Sequence, residues 1–102
     1  MRVNIQVLAL PMLSEALGAK ELTVDFEGEA VADLLDHLVL RYGQKAKKAL
    51  QDESGQLDMS IQILLNGKEW ITHDRLDTRL KEGDSIAFML LAAGGGKEKC
   101  NG

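Results

Sequence analysis

The sequence predicts an α+β fold, a mixed β-sheet with one principal helix packed on one face, and three observations carry that prediction. Segments near both ends of the chain alternate apolar and polar side chains, the period of a half-buried strand. Between them one long stretch switches to the helical period. Further along, two extended segments are joined by Asn66-Gly67, the dipeptide that most strongly marks a hairpin because both central residues of the favoured turn need positive φ.

The elements follow in order. "RVNIQVLA" sets Val3, Ile5 and Val7 on one face against Asn4 and Gln6, a first strand. "PMLSEALGAK" holds Pro11 and Gly18 and reads as a loop with a helical turn at Leu13 to Leu17. In "ELTVDFE" the alternation returns with Leu22, Val24 and Phe26 inward, a second strand antiparallel to the first. From Glu29 onward Val31, Leu34, Leu35, Leu38, Val39 and Tyr42 form one helical stripe that Gly43 ends, with Glu27 and Glu29 placed where a helix N-terminus favours negative charge. "QKAKKALQDESGQ" is a polar connection or short second helix, and its Lys45, Lys47 and Lys48 read as a solvated face. "SIQILLNGKEWI" is the hairpin, "THDRLDTRL" a loop, and Gly83-Asp84 turns the chain into a last strand with Ile86, Phe88 and Leu90 on one face. One helix covering one face of such a sheet is the ubiquitin-like β-grasp arrangement. It spans residues 1–93 as a single domain, with a flexible Gly-rich tail over 94–102.

Composition removes several function classes. Twelve Lys and Arg against sixteen Asp and Glu give a formal net charge of -4, the wrong sign for binding nucleic acid through phosphates. Phe26, Tyr42, Trp70 and Phe88 are the only aromatics, too few for a base-stacking platform. The longest apolar run, Ile86 to Ala93, is far short of the roughly 20 residues that cross a membrane. No secretory signal pattern opens the chain, and the expected location is the cytoplasm. The single cysteine, Cys100, can form no internal disulfide, and its weight as a reactive thiol is small. His37 and His73 lack metal-ligand spacing and read as surface residues, Asp33 and Asp36 as an exposed helix face. No metal or bound cofactor is expected. "GGGKEK" lacks the spacing of a phosphate loop, and no serine has a local nucleophile motif, so the chain does not read as an enzyme in its own right.

The glycines remain. Gly94, Gly95 and Gly96 follow the last strand directly, and without a Cβ such a stretch threads a channel too narrow for side chains. A glycine carboxylate at its end would be an accessible acyl donor once activated by another protein. Here, however, "KEKCNG" follows Gly96.

"LLNGKEW", "DTRLKEGDSIAFMLLAAGG" and, less specifically, "LSEALG" and "EGEAVADLLDHLVLRYG" together resemble the MoaD/ThiS family of ubiquitin-like sulfur carriers, which includes the small subunit of molybdopterin synthase. The resemblance implies a carrier that is not itself an enzyme but can act as the small subunit of one. Its terminal glycine is adenylated by a partner related to ubiquitin-activating enzymes, which uses ATP, and becomes a thiocarboxylate. The sulfur then passes to a precursor, of molybdopterin first of all, held by a molybdopterin synthase large subunit-like enzyme or another sulfur-accepting enzyme.

Carried onto this chain, the resemblance makes Gly95, alternatively Gly96, the modified residue, and Gly94 to Gly96 the threaded segment. Phe88, Leu90 and Leu91 become the docking residues. Molybdopterin-synthase small subunits tend to carry Pro-Pro where this chain has Leu90-Leu91. Residues beyond Gly96 imply a processing protease. Two other readings stay open: a protein modifier joined to lysines of its targets, and an interaction module that is never conjugated.

Overall fold

The structure is a computed structural model that describes residues 1–90. The expected tail, with Leu91, Gly94, Gly95, Gly96 and Cys100, lies outside the described residues. The elements are β1 (Arg2–Leu8), α1 (Pro11–Leu17), β2 (Glu21–Asp25), α2 (Val31–Tyr42), α3 (Gln44–Leu50), β3 (Ile61–Leu65), β4 (Glu69–Ile71) and β5 (Ser85–Leu90). The strands form one five-stranded sheet in the order β2-β1-β5-β3-β4. β1 and β5 run parallel at its centre, and every other pair is antiparallel. This is the mixed sheet with a principal helix that the alternation and the helical stripe predicted.

The register sends the apolar sets to one side. Val3, Ile5 and Val7 of β1 meet Val24 and Leu22 of β2 and Ile86 and Phe88 of β5, while Ile61, Ile63 and Leu65 of β3 meet Leu90, Phe88 and Ile86. α2 lays Val31, Leu34, Leu35 and Leu38 over them. Apart from the partly buried Leu22 and the exposed Leu90 at the rim, these side chains are buried together in one core, which also takes in Leu13 and Leu17 of α1 and Leu50 of α3.

Two segments are more ordered than the sequence suggested. Residues 11–17 form a full helix, because Pro11 stands at the start, where its missing N–H is not needed, and Gly18 closes the end. The two residues read as breakers are its boundaries. Gln44–Leu50 is likewise a helix, buried through Ala46, Ala49 and Leu50, with its three lysines exposed as expected.

Asp33, not Glu27 or Glu29, finishes the N-terminus of α2. Its Oδ2 accepts the backbone N–H groups of Glu29 at 3.0 Å and Ala30 at 3.1 Å. The first helical N–H groups, of Val31 and Ala32, donate to the carbonyls of Thr78 and Leu76. The loop before β5 thus satisfies donors that a helix cannot satisfy itself. Gly28 makes this cap fit, with φ of +146° and a position where a Cβ would lie 2.5 Å from the Cβ of Asp33. Gly28→Ala is therefore expected to destabilise the fold by about 1–3 kcal/mol, read as a lower urea midpoint with an unchanged slope.

The hairpin turn forms as its dipeptide predicts, with φ of 53° at Asn66 and 69° at Gly67. Lys68 N–H donates to the Leu65 carbonyl at 3.0 Å across it. Asn66 also reaches the start of β5: its Oδ1 accepts Ser85 N–H at 2.8 Å and its Nδ2 donates to Asp84 at 3.1 Å. Asp84 in turn accepts Lys81 N–H at 2.8 Å. Asn66-Gly67 and Gly83-Asp84, distant in sequence, are thus one hydrogen-bonded corner that aims β5 between β1 and β3.

Candidate functional site

β5 is the central strand and the last described element, so the placement of its two faces decides what surrounds Leu90, the last described residue. Alternation along the core side gives Ile86, Phe88 and Leu90. Phe88 is 0% exposed and sits between Val7 and Ile63, which corrects its expected place among the docking residues: a ring wholly inside the core presents nothing to a partner. Leu90, at the strand's end opposite Ile61, is 42% exposed and keeps that role open. Leu91 lies outside the described residues.

The opposite face of the sheet holds side chains that sequence reasoning did not single out. Reading across the strands, one row is Leu8, Met89 and Gln62, and the next is Gln6, Ala87, Leu64 and Trp70. Leu8 is 47% and Trp70 51% exposed, and Leu64 and Met89 are half-buried. Apolar surface thus gathers on the β5, β3 and β4 side and extends to Leu8, which lies beside the point where β5 ends. The β2 side of the same face is polar, with Glu21, Thr23 and Asp25 paired to Gln6, Asn4 and Arg2. A signal for this patch was present in the sequence. The hairpin at Asn66-Gly67 puts Leu64 opposite Trp70, and alternation turns both away from Ile63.

The other candidates do not assemble a reaction centre. His37 packs against Phe26, with ring centroids 6.1 Å apart, and the half-buried His73 places Nε2 2.9 Å from the Asp58 carbonyl, so neither is simply a surface residue. Asp33 is occupied by the helix cap. Among the described residues no cluster of three His, Cys, Asp or Glu side chains could hold a metal ion, and no helix is long and apolar enough to cross a membrane.

Four carboxylates are held below their usual range by local hydrogen bonds: Asp33 by the Glu29 and Ala30 N–H groups, Asp52 by Ser54, Asp58 by the hydroxyl and N–H of Ser60, and Asp74 by the Thr72 hydroxyl. Each contributes stability that is full above its unfolded value near 3.8 and is lost as pH falls through the lower folded value. The thermal midpoint is expected to be flat near neutrality and to drop below about pH 4, with Asp33→Asn flattening part of that drop.

Comparison with known proteins places this geometry. The ThiS family model matches residues 11–95, which is most of the chain. The chain belongs to the ThiS family. Among solved structures, small archaeal modifier protein 1 from Methanosarcina acetivorans is 35% identical with a TM-score of 0.67, covering 92% of this chain and 96% of that one. The crystal structure of SAMP1 from Haloferax volcanii is 26% identical with a TM-score of 0.73, covering 93% and 100%. A chain of the Amycolatopsis orientalis BexX/CysO complex shares the fold at 23% identity and a TM-score of 0.66, covering 91% and 99%. A search by sequence among curated proteins finds no match. As a ThiS-family chain, the protein is a ubiquitin-like sulfur carrier or modifier with the β-grasp fold.

Proposed function

We propose that the protein is a sulfur carrier whose working group is the carboxyl of Gly95, alternatively Gly96, exposed when a protease removes the residues beyond it. One observation carries this reading: the last described residue of the central strand, Leu90, lies beside an apolar sheet face, and the family match continues through residue 95. The glycine carboxylate attacks the α-phosphate of ATP on an activating partner, and pyrophosphate leaves. Hydrosulfide from a sulfur donor then attacks the acyl adenylate, AMP leaves, and a thiocarboxylate remains. Sulfur is more nucleophilic there than the carboxylate oxygen, which suits it to delivery into a cofactor precursor, molybdopterin first, held by a large-subunit-like acceptor enzyme. The apolar face around Leu64 and Trp70 is the surface on which these partners dock.

The test incubates chains ending at Gly95 or Gly96 with ATP, the cognate activating enzyme and sulfide, followed by intact mass. Exchange of one oxygen for one sulfur is the expected gain. An unchanged mass while the enzyme demonstrably forms the adenylate would count against the carrier reading.

A second reading has its own support, since the 35%-identical neighbour from Methanosarcina acetivorans is a small archaeal modifier protein. The same activated glycine would then be captured by a lysine ε-amine of a target, with loss of AMP. Conjugates of higher mass that vanish when residues 94–96 are deleted distinguish it.

A further inference from the structure

The sheet has two edges, and the longer, β2, is open in a defined way. Phe26 N–H donates to the Met1 carbonyl at 2.9 Å, the Met1 ammonium donates to the Phe26 carbonyl at 2.9 Å, and Val7 N–H donates to the Lys20 carbonyl at 2.8 Å. In an antiparallel ladder such pairs recur at every second residue. With Val3 opposite Val24 and Ile5 opposite Leu22, the backbone groups of Glu21, Thr23 and Asp25 therefore point away from the sheet. Among the described residues, no turn, loop or side-chain hydrogen bond takes them up.

A groove of about 620 Å³ lies where this edge meets α2, with Phe26, His37 and Leu40 on its apolar side and Asp25, Glu27 and Asp36 around it. Leu40 is 86% exposed, more than any other large apolar side chain in the described structure. Asp25 lies 3.4 Å from the N-terminal ammonium, while Glu27 and Asp36 form no ion pair among the described residues.

We propose that this edge and groove are a second docking site, for an extended peptide segment of a partner with Lys or Arg at alternate positions, added to β2 as a sixth strand. The outward N–H and C=O groups of three alternating residues match the main chain of such a strand. Alternate side chains then fall on the groove side, where cations meet Glu27 and Asp36 and their apolar stems lie along Leu40. A second copy of this chain is disfavoured at the same edge, because Glu21 and Asp25 would face their own counterparts.

The site stands apart from the end of the described chain. β5 runs parallel to β1, so Leu90 lies at the Leu8 end of the sheet, whereas Asp25 pairs with Arg2 at the other. A partner could hold the protein here while the segment after Leu90 and the Trp70 face engage another enzyme. That use as a tether rests on the carrier reading; the binding itself does not.

The experiment titrates the ¹⁵N-labelled full chain with an amide-capped hexapeptide alternating lysine and valine, without ATP or any enzyme. Amide shifts are expected at Glu21, Thr23, Asp25, Glu27, His37 and Leu40. Binding should weaken at least about tenfold for the peptide N-methylated along its backbone, for a glutamate-valine peptide, and for the exposed double variant Glu27→Lys with Asp36→Lys. Thr23→Pro removes one outward donor at an edge position and should weaken binding too. Equal affinity for the N-methylated peptide, shifts centred on Leu64 and Trp70, or no shift at all would each overturn the proposal.

Discussion

Phe88→Ala is expected to remove about 3–5 kcal/mol of stability, a large share of the about 5–15 kcal/mol that holds a domain together. The ring is wholly buried in the middle of the central strand, opposite Val7 on one side and Ile63 on the other. Removing it forfeits the transfer of a large apolar surface from water and leaves a cavity. The surrounding strands cannot close that cavity without shifting the sheet register. The urea midpoint should fall steeply with little change in slope. Leu90→Ala, two residues on along the same face but 42% exposed, should cost less than about 1 kcal/mol. Were the two variants to behave alike, Phe88 would not be the core residue that the register makes it.

That contrast also marks how far the sequence could be read. Alternation grouped Ile86, Phe88 and Leu90 correctly, because strand geometry fixes which residues share a face. It did not say that Phe88 is enclosed while Leu90 stands at the rim, since that depends on β5 lying between β1 and β3 and on where Ile61 begins its strand. α2 was legible because six apolar residues at helical spacing admit no other element. Its cap was not, because the carboxylate of Asp33 takes up N–H groups of Glu29 and Ala30 only once the chain bends at Gly28. The ends of α1 were misjudged for a local reason: Pro11 and Gly18 break a helix from inside and bound one at its ends, and the seven residues from Pro11 to Leu17 left both readings open. Trp70 and Leu64 escaped notice because each looks ordinary within its own strand. They become a patch only when the hairpin and β5 bring Ala87, Met89 and Leu8 alongside.

That patch carries the second large effect. In a chain ending at Gly95 or Gly96, Leu64→Arg combined with Trp70→Ala is expected to slow adenylation by the activating partner at least about thirtyfold at low carrier concentration, the scale of losing one aromatic anchor worth about 2 kcal/mol. The fold should survive, since Trp70 is half exposed on the three-residue edge strand and Leu64 faces away from the core. Pyrophosphate release measured against carrier concentration separates the causes. Loss of docking raises KM and leaves kcat near that of the parent chain, because the glycine that reacts is untouched. A fall in kcat at unchanged KM would mean that these side chains act after binding, in placing the glycine rather than in holding the domain. Glu21→Ala, on the polar half of the same face, supplies the control. If it slows the reaction as much as the double variant does, the apolar half is not the surface the partner reads, and docking must follow the charge of the sheet instead of Leu64 and Trp70.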